Sequence, residues 1–168
     1  MSRELSLRNR QRLRVVNTPL LRRVGRWLLI ECLGLDAFDL SIQLVEDTTM
    51  ARLNQQFLQH HGSTDVITFD YAESGARNLH GEIVICLADA VAQAREFQTT
   101  WQSELARYLV HGVLHLRGYD DLSPATRRKM KREENRLVRE ASQCFPLSEL
   151  EKTIARPKRF TAGARARR

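Results

Sequence analysis

Apolar and polar positions follow two rhythms along the chain, one of period two and one near 3.6, and they exchange several times. Leu13 to Val16 is a short β-branched run that closes on Asn17-Thr18-Pro19, where Thr18 is suited to cap a helix and Pro19 to occupy its first position. Leu20, Leu21, Val24, Trp27, Leu28 and Ile30 then recur at helical spacing as far as Gly34. Leu40 to Val45 alternates, which predicts a half-buried strand. Asp47 or Thr48 opens a helix with Met50, Leu53 and Phe57 inward, and Val66 to Phe69 reads as a strand. Ile83 to Cys86 reads as another strand, entered through a turn at Gly81. Ala88 to Phe97 is helical by its alanines. From Ser103 to Arg117 a helix packs Leu105, Leu109, Val113 and Leu116 inward and carries Glu104, Tyr108, His111 and His115 along another face. Ser123-Pro124 caps a charged helix running to about Ala141. The fold class is therefore α+β: a single domain with a mixed sheet of about four strands and about five helices.

Chemistry concentrates in His111-Gly112-Val113-Leu114-His115-Leu116-Arg117-Gly118-Tyr119-Asp120-Asp121. On a helix His111 and His115 are one turn plus about forty degrees apart, so both imidazoles leave the same face and can reach one ion. A glycine three residues on can take the left-handed conformation that ends a helix, letting Asp120 or Asp121 approach from the other side. The spacing H-x3-H-x2-G-x2-D resembles the metzincin zinc pattern, with Asp121 in place of the third histidine. Two histidines that merely pack would leave the glycine and the acidic pair without a reason. Zinc peptidases of this layout carry a glutamate base directly after the first histidine, and here that position is Gly112. The sequence thus predicts metal-assisted hydrolysis of something other than peptide.

Length and composition narrow the class. One hundred and sixty-eight residues suit one domain. Cys32, Cys86 and Cys144 are odd in number and widely spaced, which suits a reducing cytoplasm. The longest apolar stretch, Trp27 to Leu35, is short and contains Glu31, so neither a signal peptide nor a membrane span is expected. The net charge of +7 sits at the ends: residues 1–14 carry +4 and residues 151–168 carry +6, leaving residues 15–150 at −3. The division expected is a domain over 1–150 and a basic, disordered tail over 151–168. Such an arm binds polyphosphate chains through counterion release.

The stretch His111 to Asp121 resembles the H-G-x-L-H-L-x-G-Y-D-H signature of the YbeY endoribonucleases, the bacterial rRNA maturation factors, in every fixed position but the last. Leu53-Asn54-Gln55-Gln56-Phe57 followed by Thr64-Asp65-Val66-Ile67-Thr68-Phe69 is similar to that family's L-N-x-x-[YF]-R … T-D-V-L-S-F, and Gly81 to Cys86 to its G-D-I-V-I-[CS] strand. The resemblance implies a zinc-dependent endoribonuclease selective for single strands. It would act in rRNA maturation, at the small-subunit rRNA 3′ end, and in ribosome quality control. The implied partners are rRNA precursors and the small subunit, a small-subunit ribosomal protein and the GTPase Era. The implied metal ligands are His111, His115 and Asp121, which would hold one zinc ion and the catalytic water.

Two departures matter. A carboxylate in place of the third histidine lowers the effective field of the ion, makes its water less acidic and widens metal tolerance. Leu58 stands where the family has an arginine able to clamp a phosphate. His60, His61 and Arg117 are the nearest alternatives in sequence, and Asp65 and Asp120 are candidates to orient a ligand from behind. The alternative function is a ribosome-assembly factor that binds RNA around a structural metal and cuts little or nothing.

Overall fold

The computed structural model describes residues 2–58 and 64–153. Four strands, β1 (Arg3–Asn9), β2 (Phe38–Val45), β3 (Val66–Asp70) and β4 (Leu79–Cys86), form one sheet in the order β1-β2-β4-β3. β1, β2 and β4 run parallel, and β3 returns antiparallel along β4 as an edge. Five α-helices complete the domain: α1 (Thr18–Trp27), α2 (Asp47–Leu58), α3 (Leu87–Glu96), α4 (Trp101–Leu116) and α5 (Pro124–Cys144). The mixed α+β architecture expected from the patterning is the one observed.

Alternation along the strands divides the core. Leu40, Ile42 and Leu44 of β2 and Ile83 and Ile85 of β4 face the larger cluster, shared with α1, α3, α4 and α5. Val45, Val84, Cys86 and Ile67 point the other way onto Met50 of α2. Phe57 of α2 only meets the edge of Phe69, with ring centroids 5.1 Å apart, and stays exposed.

Several local readings differ. The first strand is Arg3–Asn9, not Leu13 to Val16: Leu5 and Leu7 supply its inward residues by pairing with Leu40 and Ile42, while Val16 makes only an isolated bridge with Glu151. The cap of α1 is Asn17, whose side chain accepts from Leu20 N, so Thr18 and Pro19 fall inside the first turn. The end of α1 widens into a π-helical turn over Leu28–Cys32 before Gly34 turns the chain at φ +61°.

Gly81 is no turn. It lies within β4, between Leu40 and Asp70, and a Cβ there would stand 2.6 Å from the carbonyl oxygen of Phe69 and 3.1 Å from the Leu116 methyls. Gly112 makes the matching contact from α4, where a Cβ would meet Ile83 Cγ2 at 2.8 Å. Two glycines, one on each side, seat α4 on the sheet.

Among the described residues no helix is long and apolar enough to cross a membrane, and no disulfide joins Cys32, Cys86 and Cys144.

Candidate metal centre

α4 starts at a Thr100 cap, whose hydroxyl accepts from Ser103 N, and ends as its sequence predicts. Gly118 adopts φ +90°, its N–H bonds to His115 O and the Tyr119 N–H bonds to Leu114 O. This paired closure is a Schellman motif, and it spends a positive φ that only glycine adopts without strain. The chain doubles back through Tyr119-Asp120-Asp121. It then enters α5 at Ser123, where a reciprocal capping box with Thr126 fixes the start. The turn is thus pinned at both ends, and it brings Asp121 to the histidines.

His111, His115 and Asp121 each offer one ligand atom, and these atoms lie within 4.8 Å of one another. His111 Nε2 and His115 Nε2 are 3.0 Å apart. Two nitrogens bound to one tetrahedral zinc would be ~3.3 Å apart, given Zn–N of about 2.0–2.1 Å.

The other side of each ring decides what those nitrogens are. His111 Nδ1 lies 3.0 Å from Oε2 of Glu134 on α5, a residue 4% exposed. Burial alone would push the Glu134 carboxyl up, but hydrogen bonds from His111 and Arg107, with Lys131 nearby, bring it down to about 2. Glu134 is therefore an anion placed to accept a hydrogen bond from His111 Nδ1. Burial and the neighbouring His111 lower the pKa of His115, against the pull of Asp121, a hydrogen bond to the Tyr119 backbone and Asp120. His115 is thus held neutral. With Glu134 behind one ring and the Tyr119 backbone behind the other, the two Nε2 atoms converge at 3.0 Å beside Asp121, a donor set that fits a divalent metal.

The remaining predicted residues divide. The Asp120 carboxylate accepts from Leu122 N at 3.0 Å and is held below the usual carboxylate range first by Thr126, then by the Leu122 backbone. It shapes the turn. Asp65 lines the groove beside the centre, and its Oδ1 accepts from Val66 N at 2.8 Å. Arg117 caps α4 and is exposed, with its guanidinium 3.4 Å from Arg77 O. Leu58 ends α2 and is 47% exposed. His60 and His61 fall outside the described residues, as does the tail beyond 153.

A groove of about 430 Å³ runs along the centre, walled by α4 and α5, with Asp65, Gln93 and Phe97 also contributing. Deep in it Tyr108 OH donates to Asp89 Oδ2 at 3.1 Å; burial, reinforced by Asp89, keeps that phenol protonated. Two features were missed from sequence, the Glu134 support and this tyrosine tie. Glu134 did leave a signal, because it shares the inward stripe of α5 with Met130, Leu137, Val138 and Ala141. A glutamate on an apolar stripe needs a buried partner.

Comparison with known proteins agrees with the geometry. Residues 8–142 match the family described as Endoribonuclease YbeY. The chain is 38% identical over 117 residues to Endoribonuclease YbeY of Salinibacter ruber, covering 66% of this chain and 74% of that protein. It is 36% identical over 132 residues to the one from Chlorobium luteolum, covering 79% and 93%. The solution structure of TM1509 from Thermotoga maritima superposes with a TM-score of 0.63 at 25% identity, over 89% of this chain and 97% of that one. A match over most of the chain, carrying the histidine pair and the turn after it, means that this protein belongs to the endoribonuclease YbeY family.

Proposed function

We propose that the chain is a metal-dependent endoribonuclease cutting single-stranded RNA, with one divalent cation, zinc in the first instance, held by His111, His115 and Asp121. Family membership carries the coarser part, hydrolysis of RNA phosphodiester bonds within a strand. The observation supporting the metal is the 3.0 Å approach of two imidazole Nε2 atoms, with Glu134 and the Tyr119 backbone engaging the rings from behind. A cation bound there supplies Lewis acidity toward a phosphoryl oxygen and lowers the pKa of coordinated water.

The chain's own residues have separate tasks. Glu134 fixes the His111 tautomer, and Asp120 holds the turn that carries Asp121. Asp65 is available as a carboxylate acceptor on the groove wall. At Gly112 the helix lies against Ile83, so the peptidase base has no room. RNA is the fitting substrate. By family likeness the strand belongs to precursors of the small ribosomal subunit, near its rRNA 3′ end, in maturation and quality control within the cytoplasm. A ribosomal protein and the GTPase Era are the proposed partners, and the cationic tail adds sequence-independent RNA affinity.

Leu58 favours a second reading. Without the family arginine, the protein would bind precursor RNA around a structural metal and leave it uncut. Incubating purified full-length protein with a labelled single strand, with and without chelator, separates the two. The nuclease reading expects cleavage that chelator abolishes and that His115→Ala lacks. Cleavage unaffected by both would overturn it, and binding without cleavage would favour the second reading.

A further inference from the structure

The groove beside the centre carries its cations on the α4 and α5 walls. Arg127 and Lys131 both line the cavity that contains His111 and Asp121, and they lie one turn apart on the same face of α5. Arg127 is fixed against the centre itself, since its Nη2 donates to the backbone oxygen of Asp121 at 3.3 Å. That contact uses one of five guanidinium N–H donors, and the side chain is otherwise exposed. Lys131 Nζ lies 3.6 Å from Glu134 Oε1, with 60% of its side chain exposed. The third cation of the groove, Arg107, is occupied: one of its nitrogens is 2.8 Å from both Glu134 Oε1 and Asn135 Oδ1. Arg107 is only 26% exposed, so the two solvent-facing cations of the groove, Arg127 and Lys131, stand together on the wall where a strand bound at the metal centre would run.

We propose that Arg127 and Lys131 form a phosphodiester-binding site on α5 that holds the RNA backbone next to the metal centre. The proposal rests on the RNA substrate put forward above. A guanidinium held by a backbone carbonyl keeps its remaining N–H pairs at a fixed distance from Asp121, which suits two-point contact with a phosphate. The ammonium one turn away adds a second point charge along the strand.

The test uses full-length protein and a fluorescent 2′-O-methyl single strand, which binds without being cut, titrated by anisotropy across a salt series. Each phosphate contact in a single strand contributes about 0.7 to the magnitude of the slope of log K against log salt. Arg127→Gln and Lys131→Gln should each lower that magnitude by about 0.7 and weaken binding about tenfold at low salt, and Arg127→Lys should keep the slope. Arg128→Gln removes the same charge from an exposed α5 position outside the groove and should leave the slope unchanged. Equal effects of Arg127→Gln and Arg128→Gln would overturn the proposal, as would an unchanged slope in Arg127→Gln or loss of its bound metal. A parallel cleavage assay keeps the two readings apart. If the wild type binds with the expected slopes but never cuts, the site stands and the nuclease reading falls; if it cuts while the slopes fail, the reverse holds.

Discussion

Glu134 Oε2 and His111 Nδ1 face each other at 3.0 Å across the α4–α5 interface, and that pair decides the chemistry of the centre. The carboxylate engages the edge of the ring that faces away from His115 and fixes the plane of the imidazole. Arg107 on the second carboxylate oxygen keeps the glutamate ionised while buried.

Glu134→Gln keeps the shape and removes the charge. Loss of a carboxylate behind a ligand histidine typically costs 10–100-fold in metal affinity, and that is the drop expected in a competition titration against a zinc indicator. An unchanged affinity would mean that the glutamate serves packing alone.

The same carboxylate sets an acid limit on stability. Its folded pKa of about 2 lies below the ordinary glutamate value of 4.5, so its contribution is complete above 4.5 and disappears as pH falls toward 2. In metal-free protein the wild type should exceed Glu134→Gln by on the order of 3 kcal/mol at neutral pH. Urea unfolding at stepped pH should show the gap closing between about pH 4.5 and 2. A gap that persists at pH 2 would contradict the assignment.

Gly112→Ala tests the seating of α4. The added methyl would stand 2.8 Å from Ile83 Cγ2, on a β-branched side chain held in a strand. The expected cost is about 1–3 kcal/mol of unfolding free energy. Pairing it with Ile83→Ala should recover part of the loss relative to the sum of the single changes, because one methyl then fills the space left by another.

Asp121→His places a third imidazole beside His111 and His115. With one negative charge fewer at the ion, coordinated water becomes more acidic, so the rising limb of the cleavage pH profile should move to lower pH. Asp121→Ala should weaken metal binding, while Asp120→Asn should chiefly loosen the turn and lower the melting temperature. If the Asp120 variant alone loses the metal, the third ligand has been misassigned.

Where a backbone demand is local, the residues announced it. The helix stop at Gly118 and the Ser123-Pro124 start both follow from what one residue can do with φ or with a side-chain oxygen. That His111 and His115 would converge was legible because their four-residue spacing is itself helical. Partners distant in sequence were not. Leu13 to Val16 has β-branched residues but no strand beside it, whereas Arg3–Asn9, lined with exposed arginines, becomes a strand because β2 offers a parallel edge. Gly81 carries a turn residue's composition for a different reason, the close approach of the Phe69 carbonyl and of Leu116. Glu134 meets His111 only once α5 has packed, and Arg127 joins the groove by the same step.

The most direct measurement is diffraction from crystals of protein purified without chelator, collected above and below the zinc absorption edge. The account predicts one anomalous peak per chain, at about 2.0–2.1 Å from His111 Nε2 and His115 Nε2 and within about 2.2 Å of an Asp121 oxygen. The two imidazole nitrogens in hydrogen-bond contact at about 3.0 Å, with no peak between them, would contradict it.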